Sequence, residues 1–174
     1  MRVVAGEFKG RRLAAPRGGR TRPTADRVRE AIFNLLGPPP DGLHVLDLYA
    51  GSGALGIEAL SRGAASAVFV ERDAQAVAAI ERNLEPLDVE ASVAPADVAR
   101  WLTRAEGRFD LVFCDPPYDV ASRLAGPLAE RLPGLTADDA RIVTESDKRN
   151  PLELPFPLIV ERSYGNTRIA IHER

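Results

Sequence analysis

The segment that most restricts how this chain can fold runs from Leu43 to Gly56. Leu43-His44-Val45-Leu46-Asp47-Leu48-Tyr49 has the apolar density of a buried strand, and Ala50-Gly51-Ser52-Gly53-Ala54-Leu55-Gly56 leads it into a helical pattern carrying Ile57 and Leu60. A strand followed at once by a helix belongs to a mostly parallel sheet with helices on its faces. Glycines let the turn tighten and let a ligand touch the backbone, while the helix start offers unpaired N–H groups. Gly51, Gly53 and Gly56 keep the spacing of a dinucleotide fingerprint, and Glu71 lies 20 residues beyond Gly51, at the end of the next apolar strand, Ala67-Val68-Phe69-Val70. A carboxylate there would hold the two ribose hydroxyls of a nucleoside cofactor. The structural alternative is that Glu71 and Arg72 merely begin the next helix.

The rest of the chain continues the alternation. Asp73-Ala74 opens a helix with Val77, Ile80 and Leu84 on one face, stopped by Pro86, and Val89 to Val93 alternates like a strand. Asp97 then caps a helix containing Val98, Trp101 and Leu102, or meets an adenine amino group, or does both, since a cap uses one carboxylate oxygen. Trp101, at helical spacing with Val98 and Leu102, belongs to the core. Phe109 to Cys114 is a further buried strand. After it come a helix with Leu124, Leu128 and Leu132, ended by Pro133-Gly134, and a strand at Ala140 to Thr144. Leu158 to Tyr164 and Thr167 to Ile171, joined by Gly165-Asn166, form a hairpin. The sum is an α/β, doubly wound, mostly parallel seven-stranded sheet with an antiparallel C-terminal hairpin. At 174 residues the chain has room for one such core and none for a second catalytic domain.

Asp115-Pro116-Pro117-Tyr118 directly follows the Phe109 to Cys114 strand, at the sheet edge where ligands bind in open α/β folds. Proline lacks an N–H and has a fixed φ, so its carbonyl is a stiff acceptor without a competing donor. Asp115 and the Pro116 carbonyl suit the two hydrogens of a planar amine, and Tyr118 suits the face of a base, a stacking contact worth about 1–3 kcal/mol. A plain Pro-Pro turn is the structural alternative.

Charge is distributed unevenly. Residues 1–29 carry nine basic side chains against two acidic ones, a net of +7, so residues 30–174 carry −9 of the whole-chain −2. A concentrated basic arm neutralises phosphates and gives salt-sensitive binding to a nucleic acid. Its alternative is a solvated, solubilising turn region. Within the arm, Val3 to Phe8 and Arg12 to Ala15 flank Lys9-Gly10-Arg11 as a hairpin, and Pro16 to Pro23 is a basic connector. Thr24 caps an amphipathic helix with Val28, Ala31, Ile32, Leu35 and Leu36, closed by Gly37. Residues 1–40 thus form an appendage docked by that one helix, ahead of a catalytic unit at 41–174.

No run is apolar enough to span a membrane, no leader is evident, and the lone Cys114 cannot make an internal disulfide, so the expectation is a cytoplasmic protein that avoids membranes. Cys114 reads as a small buried residue, His44 and His172 as structural. No Cys/His/Asp cluster has metal-ligand spacing, so no metal is expected.

Asp47 to Gly56, Val70-Glu71-Arg72-Asp73, Asp115-Pro116-Pro117-Tyr118 and Arg22-Pro23-Thr24-Ala25-Asp26-Arg27-Val28-Arg29-Glu30 together resemble the RsmD family of bacterial 16S rRNA guanine-N2 methyltransferases. The resemblance covers nearly the whole chain. It implies a Rossmann-like class I methyltransferase fold, S-adenosylmethionine as cofactor, a monomer, and a guanine (position 966) of 16S rRNA within the small ribosomal subunit as substrate. It further implies that Asp47, Tyr49, Gly51, Ser52, Gly53, Glu71, Arg72 and Asp97 hold the cofactor, with Asp47 near its amino group. Asp115, Pro116, Pro117 and Tyr118 would be catalytic. Lys9, Arg11, Arg12, Arg17, Arg20, Arg22, Thr24 and Arg27 would face the RNA. From the residues alone, adenine-N6 and cytosine-N4 remain open as targets. So do a small dinucleotide-dependent oxidoreductase and a noncatalytic RNA-binding module.

Overall fold

A computed structural model describes residues 1–16, 26–38, 41–117 and 120–174, with only the backbone at Ser122. The helix α1 (Asp26–Leu36) precedes strand β1 (His44–Leu48), helix α2 (Ala54–Ser61), strand β2 (Ser66–Glu71), helix α3 (Ala74–Leu84) and strand β3 (Glu90–Pro95). There follow α4 (Val98–Leu102), β4 (Phe109–Cys114), α5 (Ala121–Arg131), a 3-10 turn (Leu132–Gly134), β5 (Thr136–Asp147), β6 (Leu158–Tyr164) and β7 (Thr167–Glu173). The strands form one sheet in the order β3-β2-β1-β4-β5-β7-β6. The first five are parallel, and β7 runs antiparallel between β5 and β6.

Local chemistry accounts for the boundaries. Asp73 accepts hydrogen bonds from the Gln75 and Ala76 N–H groups and so starts α3, and Asp97 does the same for α4 through Arg100 N–H. The two faces of the sheet bury separate apolar clusters. Val45, Ile57, Phe69, Ile80 and Phe113 lie on one, with Ile32 and Phe33 of α1; Leu46, Leu48, Val112, Leu124 and Leu128 lie on the other. The order in which strands are added turns from one side to the other at β1, and the parallel β1 and β4 have their carboxyl ends side by side, with Leu48 level with Cys114. That is the crevice in which such sheets bind ligands.

Three expectations change. The amino-terminal hairpin is reduced to a bridge between Arg2 and Arg12, flanked by Val3 N–H to Arg11 C=O and Leu13 N–H to Met1 C=O. Beyond one further bond, Gly10 N–H to Val3 C=O, the next backbone donors are taken elsewhere: Val4 and Ala5 N–H by the Glu58 carboxylate, Phe8 N–H by the Ser61 hydroxyl. Docking is therefore not confined to α1, since Val3 and Leu13 are buried in the same cluster as the sheet. Third, β5 is longer than Ala140 to Thr144, its pairing with β4 broken by a register shift between Phe109 and Leu111. Arg17, Arg20, Arg22 and Thr24, like Tyr118, lie outside the described residues.

Candidate functional site

The carboxyl ends of β1, β2 and β4 bring together residues that are far apart in sequence. Tyr49 leaves β1 with φ at 60°, a left-handed conformation that costs a side-chain-bearing residue about 1–2 kcal/mol. Gly51 and Gly53 continue in the same region, at 58° and 77°. Gly53 ends the loop as the α2 cap, without a side chain to occupy the helix start. Gly56 serves packing instead: a Cβ there would stand 2.3 Å from the Phe69 ring, so only glycine lets α2 lie this close to β2.

Two carboxylates hold the loop. Glu71, almost fully buried, accepts from Gly51 N–H (2.9 Å) through one oxygen and from Arg72 and Asp73 N–H (2.8 and 2.9 Å) through the other. Asp47 is buried and accepts from Gly56 N–H at 2.9 Å. Burial raises the Asp47 pKa, the Gly56 N–H lowers it, and the neighbouring Asp115 and Glu71 charges raise it further, leaving it pushed up to about 7. Asp47, Glu71 and Asp115 thus gather three acids at one sheet edge. Tyr49 is half-buried beside Cys114, Asp97, Arg72 and Glu71, and burial, followed by the proximity of Cys114 and Asp97, holds its phenol strongly neutral. Burial, with Asp115 and Asp47 nearby, likewise keeps the Cys114 thiol protonated.

Of the two roles expected of Asp97, the structure shows the helix cap. Its Oδ1 caps α4, while Oδ2 stands 3.7 Å from the Arg72 guanidinium, with nearly half of its side chain exposed. Ser52 is buried in the loop, and its carbonyl accepts from Asn83 Nδ2 at 3.0 Å. Beyond β4, Asp115 is half-buried and Pro116 buried, whereas Pro117 is exposed and its carbonyl accepts from Val120 N–H at 2.9 Å. Pro117 thus fastens the turn into α5. Among the described residues no group of three or more His, Cys, Asp and Glu side chains could hold a metal, and no helix is long and apolar enough to cross a membrane.

The basic side chains Lys9, Arg11, Arg12 and Arg27 are exposed. Arg11 leans over the Phe8 ring (5.9 Å) and donates to the Pro86 carbonyl at 3.0 Å, which keeps its segment close to the end of α3. Sequence reasoning passed over three residues that hold this region: Arg29, Glu58 and Asn83, all buried. Each is a polar residue at an apolar position of its helix, and that mismatch was the available signal.

The family model described as conserved hypothetical protein 95 matches residues 1–173. The Escherichia coli (strain K12) protein named ribosomal RNA small subunit methyltransferase D is 38% identical over 158 residues, covering 87% of this chain and 77% of its own length. YlbH of Bacillus subtilis (strain 168), whose name includes the words rRNA methyltransferase, is 42% identical over 184 residues, covering 100% of this chain and 99% of its own. Among solved structures, Escherichia coli yhhF superimposes with a TM-score of 0.88 at 36% identity, over 100% of this chain and 97% of that one.

Proposed function

From the premise that the chain belongs to the conserved hypothetical protein 95 family, that of the RsmD methyltransferases, we propose that it methylates the exocyclic N2 amine of a guanine in 16S rRNA. The observation that carries this reading is the adjacency of two unlike half-sites, an acid-lined glycine loop after β1 and Asp115-Pro116-Pro117 after β4. S-adenosylmethionine, the expected cofactor, supplies a methyl group already activated on a sulfonium, together with a cationic amino group. Its chemistry suits the donor set: the acids Asp47, Glu71 and Asp115 offer negative charge to its sulfonium and ammonium groups, and the backbone at Gly51 to Gly53 leaves room for close approach. In this reading Asp47 takes the amino end, Glu71 the ribose hydroxyls, and Asp97 the adenine edge, with Arg72 and Tyr49 walling the same crevice.

What the chain contributes to the reaction is alignment. Asp115 and the Pro116 carbonyl accept the two amine hydrogens, which turns the nitrogen lone pair toward the methyl group, and Tyr118 stacks on the base. Fixing such a geometry is worth as much as about 7–11 kcal/mol of the barrier. Asp115 is also the acceptor for the proton that the amine sheds after transfer. The guanine must leave its stack to reach this edge, so an unpaired guanine is the easier substrate. Residues 1–40 serve as the RNA-binding appendage of a catalytic unit at 41–174, in a cytoplasmic monomer acting on the assembled small subunit at position 966.

Incubation with tritiated S-adenosylmethionine and small subunits lacking the modification, followed by digestion, tests the reading. Label in N2-methylguanosine is expected. Label in N6-methyladenosine or N4-methylcytidine would move the target to another base, and no label in RNA would overturn the assignment.

A further inference from the structure

Asn83 sits on the buried face of α3, among Ala76, Val77, Ala79 and Ile80. What the amide adds is a set of hydrogen bonds that uses both of its donors. Oδ1 accepts from Ala14 N–H at 2.8 Å, and Nδ2 donates to the Ala14 carbonyl at 3.1 Å and to the Ser52 carbonyl at 3.0 Å. One side chain therefore grips both backbone groups of Ala14 and the middle of the Gly51-Ser52-Gly53 loop. A second tie runs alongside it, with the Ser52 hydroxyl 3.8 Å from the Met1 sulfur.

The two segments joined in this way serve different ligands in the function proposed above, on which this inference rests. Ala14 closes the segment that displays Lys9, Arg11 and Arg12, and Ser52 lies in the loop assigned to the cofactor. We infer that Asn83 is a positioning residue through which RNA binding at the amino-terminal segment and cofactor binding at the glycine loop reinforce one another. Phosphate contacts that hold residues 1–16 against the body fix Ala14, hence Asn83, hence the Ser52 carbonyl. The loop is then ordered before the cofactor arrives, and the second ligand no longer bears that ordering cost. By linkage the effect is reciprocal.

The test measures the dissociation constant of radiolabelled S-adenosylhomocysteine with and without saturating small subunits lacking the modification. It compares the wild type, Asn83→Ala and Asn83→Asp. The aspartate keeps the size and the acceptor for Ala14 N–H but cannot donate to either carbonyl, and it remains informative if the alanine variant fails to fold. In the wild type, subunits should tighten the nucleoside's binding about five-fold or more, the lower range of such couplings. In the variants that factor should fall to near one while each ligand still binds alone. A merely structural Asn83 would weaken both ligands and leave their ratio intact, which overturns the inference alone, as does a wild type with no coupling. A wild type that fails to bind S-adenosylhomocysteine overturns the methyltransferase reading and this inference with it.

Discussion

Asp47 and Glu58 are two fully buried carboxylates on consecutive elements, and they are treated in opposite ways. Glu58 accepts from Val4 and Ala5 N–H at 2.7 and 3.0 Å, pairs with Arg62 at 2.9 Å and stands 3.6 Å from Arg29. Arg62 in turn lies over the Phe33 ring at 4.5 Å, and Arg29 reaches the Arg2 carbonyl and Asp26. Its charge is matched on every side, so it fastens residues 1–5 and α1 to α2. Asp47 has the Gly56 N–H for a partner, and burial, with neighbouring acids adding to it, raises its pKa to about 7. A buried charge matched by ion pairs is architecture; a buried acid held protonated near neutrality beside other acids marks a candidate site.

The sharpest way to break this contrast is at the acid beside Asp47. Asp115→Ala should lower turnover by about 10²–10⁴-fold, the usual range for losing a positioned proton acceptor. The affinity for S-adenosylhomocysteine should stay within a few-fold. A collapse of cofactor binding in the same calorimetric titration would mean that Asp115 belongs to the cofactor half of the site. Next in size, Glu58→Ala strands Arg29 and part of the backbone it holds, and urea unfolding should show a loss of about 3–5 kcal/mol. Asp47→Asn should show no such loss, and a comparable one would erase the distinction.

The third prediction concerns pH. Between about pH 4 and about pH 7 the native state holds the Asp47 proton that the unfolded chain has released, so the stability of wild type should fall as pH rises. The slope approaches about 1.4 kcal/mol per pH unit for one group, and Asp47→Asn should remove that share of it. Smallest in effect, Arg11→Ala with Arg12→Ala should reduce the salt slope of RNA binding by up to about two units and leave cofactor affinity unchanged. An unchanged slope would remove these side chains from the RNA interface.

What the sequence disclosed is tied to local rules. The glycine loop, the caps at Asp73 and Asp97, and the turn at Gly165-Asn166 depend on neighbours a few residues away, and the structure has them where the pattern puts them. The doubly wound, mostly parallel class follows from the alternation of strands and helices. Glu58, Ser61 and Asn83 escaped because their partners, Val4, Phe8 and Ala14, are backbone groups more than fifty residues away, and a backbone amide leaves no mark in a side-chain pattern. The same blindness turned residues 3–15 into a hairpin, since alternation reports an extended chain but not which acceptor its N–H groups will find. In β5 the charged Asp138 and Asp139 masked the strand's beginning, which the register shift against β4 accommodates at the exposed end.

The central claim is that the sheet edge at Asp47 receives the ammonium group of a nucleoside cofactor. Calorimetric titration of wild type and Asp47→Asn with S-adenosylhomocysteine, at pH values either side of 7, tests it most directly. Binding to wild type should tighten as pH rises through about 7 and take up less tightly below it, with a proton released to the buffer, because the ligand's ammonium favours the ionised acid. The asparagine variant should bind more weakly and without that pH dependence. A wild type whose affinity is flat across this range, or that binds NADH in preference, would contradict the account.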